Sequence, residues 1–195
     1  MTAHAATTTT TKTLDAKLAE IHANPDSNAF ILADAKDADM ALGIAAPGKN
    51  PDGSLRTLDQ YRRHMRENVE QGLLDIMLMS VSSCDILAVR DGIFKNSPVT
   101  PAVRANDTTD IHLARGSAYK SQPSLPFRTA ILEHALHGQL PADEHAPVVG
   151  ADVGLYSITF TSGARRDRDA LEAYLQFRIE AESVGFRHFL ELFAP

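Results

Sequence analysis

Residues 155–193, LYSITFTSGARRDRDALEAYLQFRIEAESVGFRHFLELF, decide the fold of this chain. The first six, LYSITF, are rich in β-branched and aromatic residues and are followed by the turn formers Thr161, Ser162 and Gly163, so they read as a buried strand. Ala170, Tyr174, Phe177, Ala181 and Val184 then recur at spacings of four and three, one apolar stripe on a helix whose other faces carry Arg168, Glu172, Arg178 and Glu182. Gly185 closes that helix as a C′ residue. The final RHFLELF, residues 187–193, reads as a second strand. Two strands joined by a helix of this length are parallel neighbours with a right-handed crossover. The unit is βαβ.

Outward from it, the chain repeats the theme. Thr57 and Gln60 form a capping-box pair, and Leu58, Tyr61, Met65 and Val69 give a helical stripe ended by Gly72. Residues 74–79, LDIMLM, form a strand, Ser82 or Ser83 caps a helix running through Ile93, and residues 99–105 form the next strand, with Pro101 tolerated near its start. An earlier strand is expected at 30–34. Leu14, Leu18 and Ile21 mark a short helix ended near Asn24 by Pro25. Residues 111–140 break the rhythm: a hairpin about residues 115–117 fits part of them, and 127–132 reads as either a strand or a short helix. Residues 1–12 hold six threonines and three alanines with no periodicity, a tail ahead of a single α/β domain at 13–195.

Composition bounds the function. With 44% hydrophobic and 23% charged residues, 195 residues are enough for one sizeable core. A net charge of -6 with mixed signs lacks the basic stripe that a nucleic-acid backbone demands. No apolar run approaches the roughly 20 residues of a membrane span, and no basic-then-apolar leader opens the chain, so a cytoplasmic protein is expected. Cys84 is the only cysteine, which excludes an intrachain disulfide and a Cys-rich zinc site.

Five parallel strands fit either a doubly wound sheet or part of a (β/α)8 barrel. Polar clusters at 34–39, 80–83, 106–110 and 161–163 follow the strands, where a barrel's active-site loops lie, and no glycine-rich phosphate loop follows the first strand. The expected fold is therefore α/β, a partial TIM (β/α)8 barrel of about five parallel strands, ending before a sixth.

Phe189, Leu190, Glu191 and Leu192 resemble strand five of the class I aldolase superfamily of (β/α)8 barrels, in the branch of tagatose-bisphosphate and sulfofructose-phosphate aldolases. Ile31, Leu32, Ala33 and Asp34 are similar to its first strand and strand-one acid. The resemblance implies an amino-terminal part of a carbon–carbon lyase acting on a ketose or sugar-phosphate-like substrate, with no cofactor. It also implies a Schiff-base lysine on strand six and a second lysine on strand four. The strand-four stretch is LYSITF, and no lysine follows Lys120. As written, the chain is therefore expected to be inactive in that chemistry.

Asp34 and Glu191 are the candidate catalytic residues, an acid/base pair lining one mouth, since proton transfer beside a carbonyl calls on carboxyls in different environments. Against this stands a capping role for Asp34 and a salt bridge from Glu191 to Arg104 or His188. Lys36, Arg104, Asn106 and Asp107 are candidate substrate contacts. The carboxylates around Lys36 oppose the neutral amine that imine formation needs, so pairing with Asp34 or binding a substrate phosphate fits it better; Arg104, Asn106 and Asp107 also suit turn and capping roles. A hard cation on Asp34, Asp37, Asp39, Asp107 and His188 would suit a metal-dependent lyase or isomerase, but the spacing matches no metal template, and no metal is assigned. His134, His137, His145, Arg165 and Arg166 read as surface residues. Beyond a small carbohydrate or ketone, the expected partner is another copy of the chain or a second half-barrel, joined through exposed sheet edges.

Overall fold

In the computed structural model, which describes residues 10–42, 45–108, 125–140, 143 and 145–193, the chain opens with α1 (Thr13–Ala23), β1 (Ala33–Lys36), α2 (Asp39–Leu42) and α3 (Leu58–Gln71). It continues through β2 (Ile76–Met79), α4 (Val81–Cys84) with a π-helical extension (Asp85–Arg90), β3 (Thr100–Arg104), β4 (Asp107–Thr108) and β5 (Pro126–Phe127). It closes with α5 (Leu132–His137), β6 (Val153–Thr159), α6 (Ala164–Ser183) and β7 (Arg187–Phe193). Strands β1, β2, β3, β6 and β7 form one sheet in that order, every pairing parallel, and the sheet curls as a half-barrel with β1 and β7 at its edges. Helices fill the connections, as parallel neighbours require. Among the described residues no helix is long and apolar enough to cross a membrane.

The quoted βαβ unit folds as its pattern predicts. Ala170, Phe177 and Ala181 are buried along α6, and Gly185 takes φ 68° just past its end. Thr57 accepts from the Gln60 amide while the Gln60 side chain accepts from the Thr57 amide, and Gly72 ends α3 at φ 67°. Two expectations shift. The first strand begins at Ala33 because the Leu32 carbonyl takes the amides of both Asp75 and Ile76, which fixes where pairing with β2 starts. Ser80 rather than Ser82 or Ser83 caps α4. The stretch left open at 127–132 divides: Pro126–Phe127 pairs antiparallel with Asp107–Thr108, and a helix follows from Leu132. The suggested hairpin about residues 115–117 lies outside the described residues.

Side chains alternate across a strand, so the sheet has two distinct faces. On the outer face Met77, Met79, Val103, Tyr156 and Ile158 pack with Tyr61, Met65 and Val69 of α3, Leu132 and Leu136 of α5, and Phe177 of α6. On the inner face Ile76, Leu78, Ala102, Val153 and Leu155 pack with Leu14 of α1. Helix α1 thus covers the amino-terminal end of the inner face. Lys12 anchors it by donating to the carbonyls of Phe94, Ser97 and Val99 at 2.7–3.0 Å.

Asp75 joins three of these parts. One buried carboxylate oxygen accepts from Lys17 Nζ at 2.6 Å and from the Leu32 amide at 2.7 Å. Burial favours its neutral form, yet the bonds from Lys17 and Leu32 outweigh burial and hold the carboxyl below its ordinary 3.8. A carboxyl depressed in the folded state adds stability that is full above the unfolded value and lost as pH falls through the folded one. Asp75→Asn is therefore expected to cost about 2 kcal/mol near neutrality, with the deficit shrinking as pH drops below about 4. Urea unfolding of both proteins across acid pH measures this.

Candidate functional site

The carboxyl ends of the strands carry polar side chains on the inner face, beyond an apolar middle made of Leu78, Ala102, Leu155 and Phe189. Arg104 closes β3, Ser157 lies on β6, and Glu191 stands beside Ser157 in register on β7. Parity places all three inward. The Arg104 guanidinium donates from Nη1 to Asp37 at 2.8 Å, from Nη2 to Ser157 Oγ at 3.3 Å and from Nε to the Asn106 carbonyl at 3.0 Å. Ser157 Oγ in turn donates to Glu191 Oε2 at 2.7 Å. One hydrogen-bonded chain, Asp37–Arg104–Ser157–Glu191, therefore crosses from the end of β1 to β7. The guanidinium is planar and delocalised, so its fork keeps Asp37 and Ser157 in fixed relation.

Asn106 holds this chain from beneath. It is fully buried, its side-chain amide donates to the Ser157 carbonyl at 2.8 Å, and its carbonyl accepts from the Ser157 amide at 2.7 Å. Both ends of the side chain are committed to the backbone of β6, which corrects the expectation that Asn106 touches substrate. Asp107 is corrected likewise: it is 4% exposed, sits in the β4–β5 ribbon and accepts from Thr129 at 3.1 Å.

The expected pairing of Asp34 with Glu191 does not occur. Asp34 is in register with Met77 and Lys36 with Met79, both outer-face residues, so Asp34 and Lys36 point toward α3. There Asn68 donates to Asp34 at 2.7 Å, and Lys36 lies 3.5 Å from the same carboxylate and 5.9 Å from the centre of the Tyr61 ring. The two-residue period decides this: the strand begins later than expected and takes Asp34 inside it, on the helix-facing side. Of the two readings held for Lys36, the observed one is the ion pair with Asp34.

The remaining acids disperse. Asp39 accepts from Ser80 at 2.6 Å and Ser83 at 3.3 Å, Asp37 is taken by Arg104, and His188 lies 3.0 Å from the Tyr174 hydroxyl. Among the described residues no three His, Cys, Asp or Glu side chains gather into a group that could hold a metal ion. Burial, and then the charges of Asp39, Asp37 and Asp34, push the Tyr61 hydroxyl up to about 12, so it keeps its proton. Burial and the Arg178 charge lower the His188 imidazole. Burial, then Asp85, raise the Cys84 thiol to about 12, which leaves it an unreactive core group. Arg165 and Arg166 are exposed at the start of α6, and His145 is exposed.

Ser157 and Asp37 are the site members that a catalytic reading of the sequence passed over. Chemically, the cluster offers a fixed cation, a hydroxyl polarised between that cation and a carboxylate, and a half-buried Glu191 whose Oε1 has no hydrogen bond among the described residues. No family model matches the chain, and no curated protein or solved structure matches it.

Proposed function

We propose that the protein moves a proton on the carbon next to the carbonyl of a ketose or sugar-phosphate-like substrate, the step shared by aldol cleavage and carbonyl isomerisation. The observation that carries this reading is the Asp37–Arg104–Ser157–Glu191 chain, drawn from three strands and the residue that follows β1, and gathered at the carboxyl end of a parallel, curled sheet. In open and closed parallel sheets alike, substrates meet the strands at that end.

Glu191 is the base. Its carboxylate takes the proton as the C–H bond breaks, and the electron pair passes to the carbonyl oxygen as an enolate. Arg104 supplies the positive field for that oxygen, while the Ser157 hydroxyl, its one proton directed to Glu191, orients the base. The same Glu191, now protonated, returns the proton. Asp37 holds the guanidinium in place. The curled parallel sheet, with an inner and an outer face and α1 across the amino-terminal end, supports reading the chain as a partial (β/α)8 barrel, with the class I aldolase branch as its proposed lineage. Lys36, the lysine expected at the carboxyl end of a strand, lies on the opposite face of the sheet from this site. A chain with one buried thiol suits the cytoplasm.

The test is incubation with ketoses and ketose phosphates in heavy water, followed by proton NMR. Exchange of hydrogen for deuterium beside the carbonyl, with no adduct trapped by borohydride, is the expected result. Absence of exchange across such a panel, at enzyme concentrations approaching the substrate's, overturns the reading.

A further inference from the structure

Among the described residues β7 pairs with β6 alone, so a seven-residue edge presents unmatched amides and carbonyls. Beside it the apolar surface does not end. Leu171, Leu175 and Ile179 recur every four residues on the outer side of α6 and are 49%, 50% and 57% exposed, while Leu190 and Leu192 on the same side of β7 are 38% and 55% exposed. An open groove of about 800 Å³ runs between the two elements, lined by Leu175, Ile179, Phe186 and His188 among others. Five half-exposed aliphatic side chains make an apolar surface of several hundred Å², the size that marks an interaction site.

The sequence of the edge says what fits it. Residues 187–191 read Arg-His-Phe-Leu-Glu. Laid antiparallel on a second copy with Phe189 on the two-fold axis, Arg187 stands opposite Glu191 of the other strand, Phe189 opposite Phe189, and His188 opposite Leu190. Directly opposed residues are the interacting unit of an antiparallel pair, and opposite charges and aromatic pairs are the favourable choices. A shift of one residue, centring the axis on Leu190, places Glu191 against Phe189 and loses both charge pairs. Arg187 already holds Asp15 and Asp152, but its five N–H donors leave capacity for a further carboxylate. On the outer side Leu190 of each copy enters the groove beside His188, Leu175 and Ile179 of the other.

We propose that the protein is a two-fold homodimer joined through antiparallel pairing of β7 with its own copy, centred on Phe189, with the Leu171–Leu175–Ile179 stripe of α6 packed across the seam. The arrangement continues two five-stranded sheets into one and brings Arg187 of the second copy beside Glu191. It is self-complementary, as an isologous interface must be. It does not depend on the proposed reaction, because its readouts are mass and cross-linking.

Sedimentation equilibrium of the full chain at micromolar concentration should give twice the 21.2 kDa chain mass. Ile179→Lys, which replaces an exposed side chain, should keep the circular dichroism spectrum and weaken association by about tenfold or more. Phe189→Cys should cross-link to itself under mild oxidation, whereas Phe193→Cys, four residues from the axis, should not; Cys84 is buried and does not compete. A monomer at these concentrations would overturn the proposal and leave the edge to a strand from another polypeptide. A dimer that cross-links at residue 193 and not at 189 would overturn the register.

Discussion

Glu191→Gln is expected to slow deuterium exchange beside the substrate carbonyl by about 10²–10⁴-fold, the range that a positioned general base contributes. The amide oxygen of glutamine still accepts the Ser157 hydroxyl, so the Asp37–Arg104–Ser157 part of the chain keeps its geometry. Only the group that takes the proton is lost. The KM should therefore change little while kcat falls, which separates loss of the base from loss of binding. Asp34→Asn, on the outer face and bonded to Asn68, serves as the comparison, and its exchange rate should stay within about threefold of the wild type. Equal losses in the two variants would mean that face parity does not govern the chemistry.

Phe177→Ala should produce the largest loss of stability, about 3–5 kcal/mol, against a total of about 5–15 kcal/mol for an ordinary domain. Phe177 is fully buried on α6, with its ring centre 4.7 Å from Tyr156 and 5.1 Å from His188, and with the Arg128 guanidinium 5.3 Å from the ring. Truncation removes the packing that fastens α6 to both β6 and β7 and leaves a cavity among rings too rigid to close it. The midpoint of urea unfolding measures the effect. A loss under about 1 kcal/mol would show that α6 contributes little to holding the sheet edge.

The residues that announced the fold did so because local chemistry and tertiary structure agree at them. The stripe from Ala170 to Ala181 has one face to bury and a glycine to end on, and Thr57 with Gln60 satisfies its own helix start whatever surrounds it. The site was less legible because it depends on parity. Asp34 follows an apolar run and looks like a strand-end acid, but the start of β1 is set by Asp75, over forty residues away in sequence, through bonds to Leu32. That contact puts Asp34 and Lys36 on the helix side. Ser157 gave no signal by type alone, since a serine within a buried strand becomes informative only once Arg104 and Glu191 are known to flank it. Asn106 looked like a loop residue for ligands because the continuation of β3 pairing by a side chain rather than by backbone leaves no mark in sequence.

A crystal structure of the protein with a ketose-phosphate analogue reduced at its carbonyl would show which face of the sheet takes the substrate, since such a ligand binds without turning over. The analogue is expected at the carboxyl end of the inner face, with the reduced oxygen within hydrogen-bond reach of Arg104 and the adjacent carbon facing Glu191. An analogue seated on the outer face against Lys36 and Asp34 would contradict that expectation.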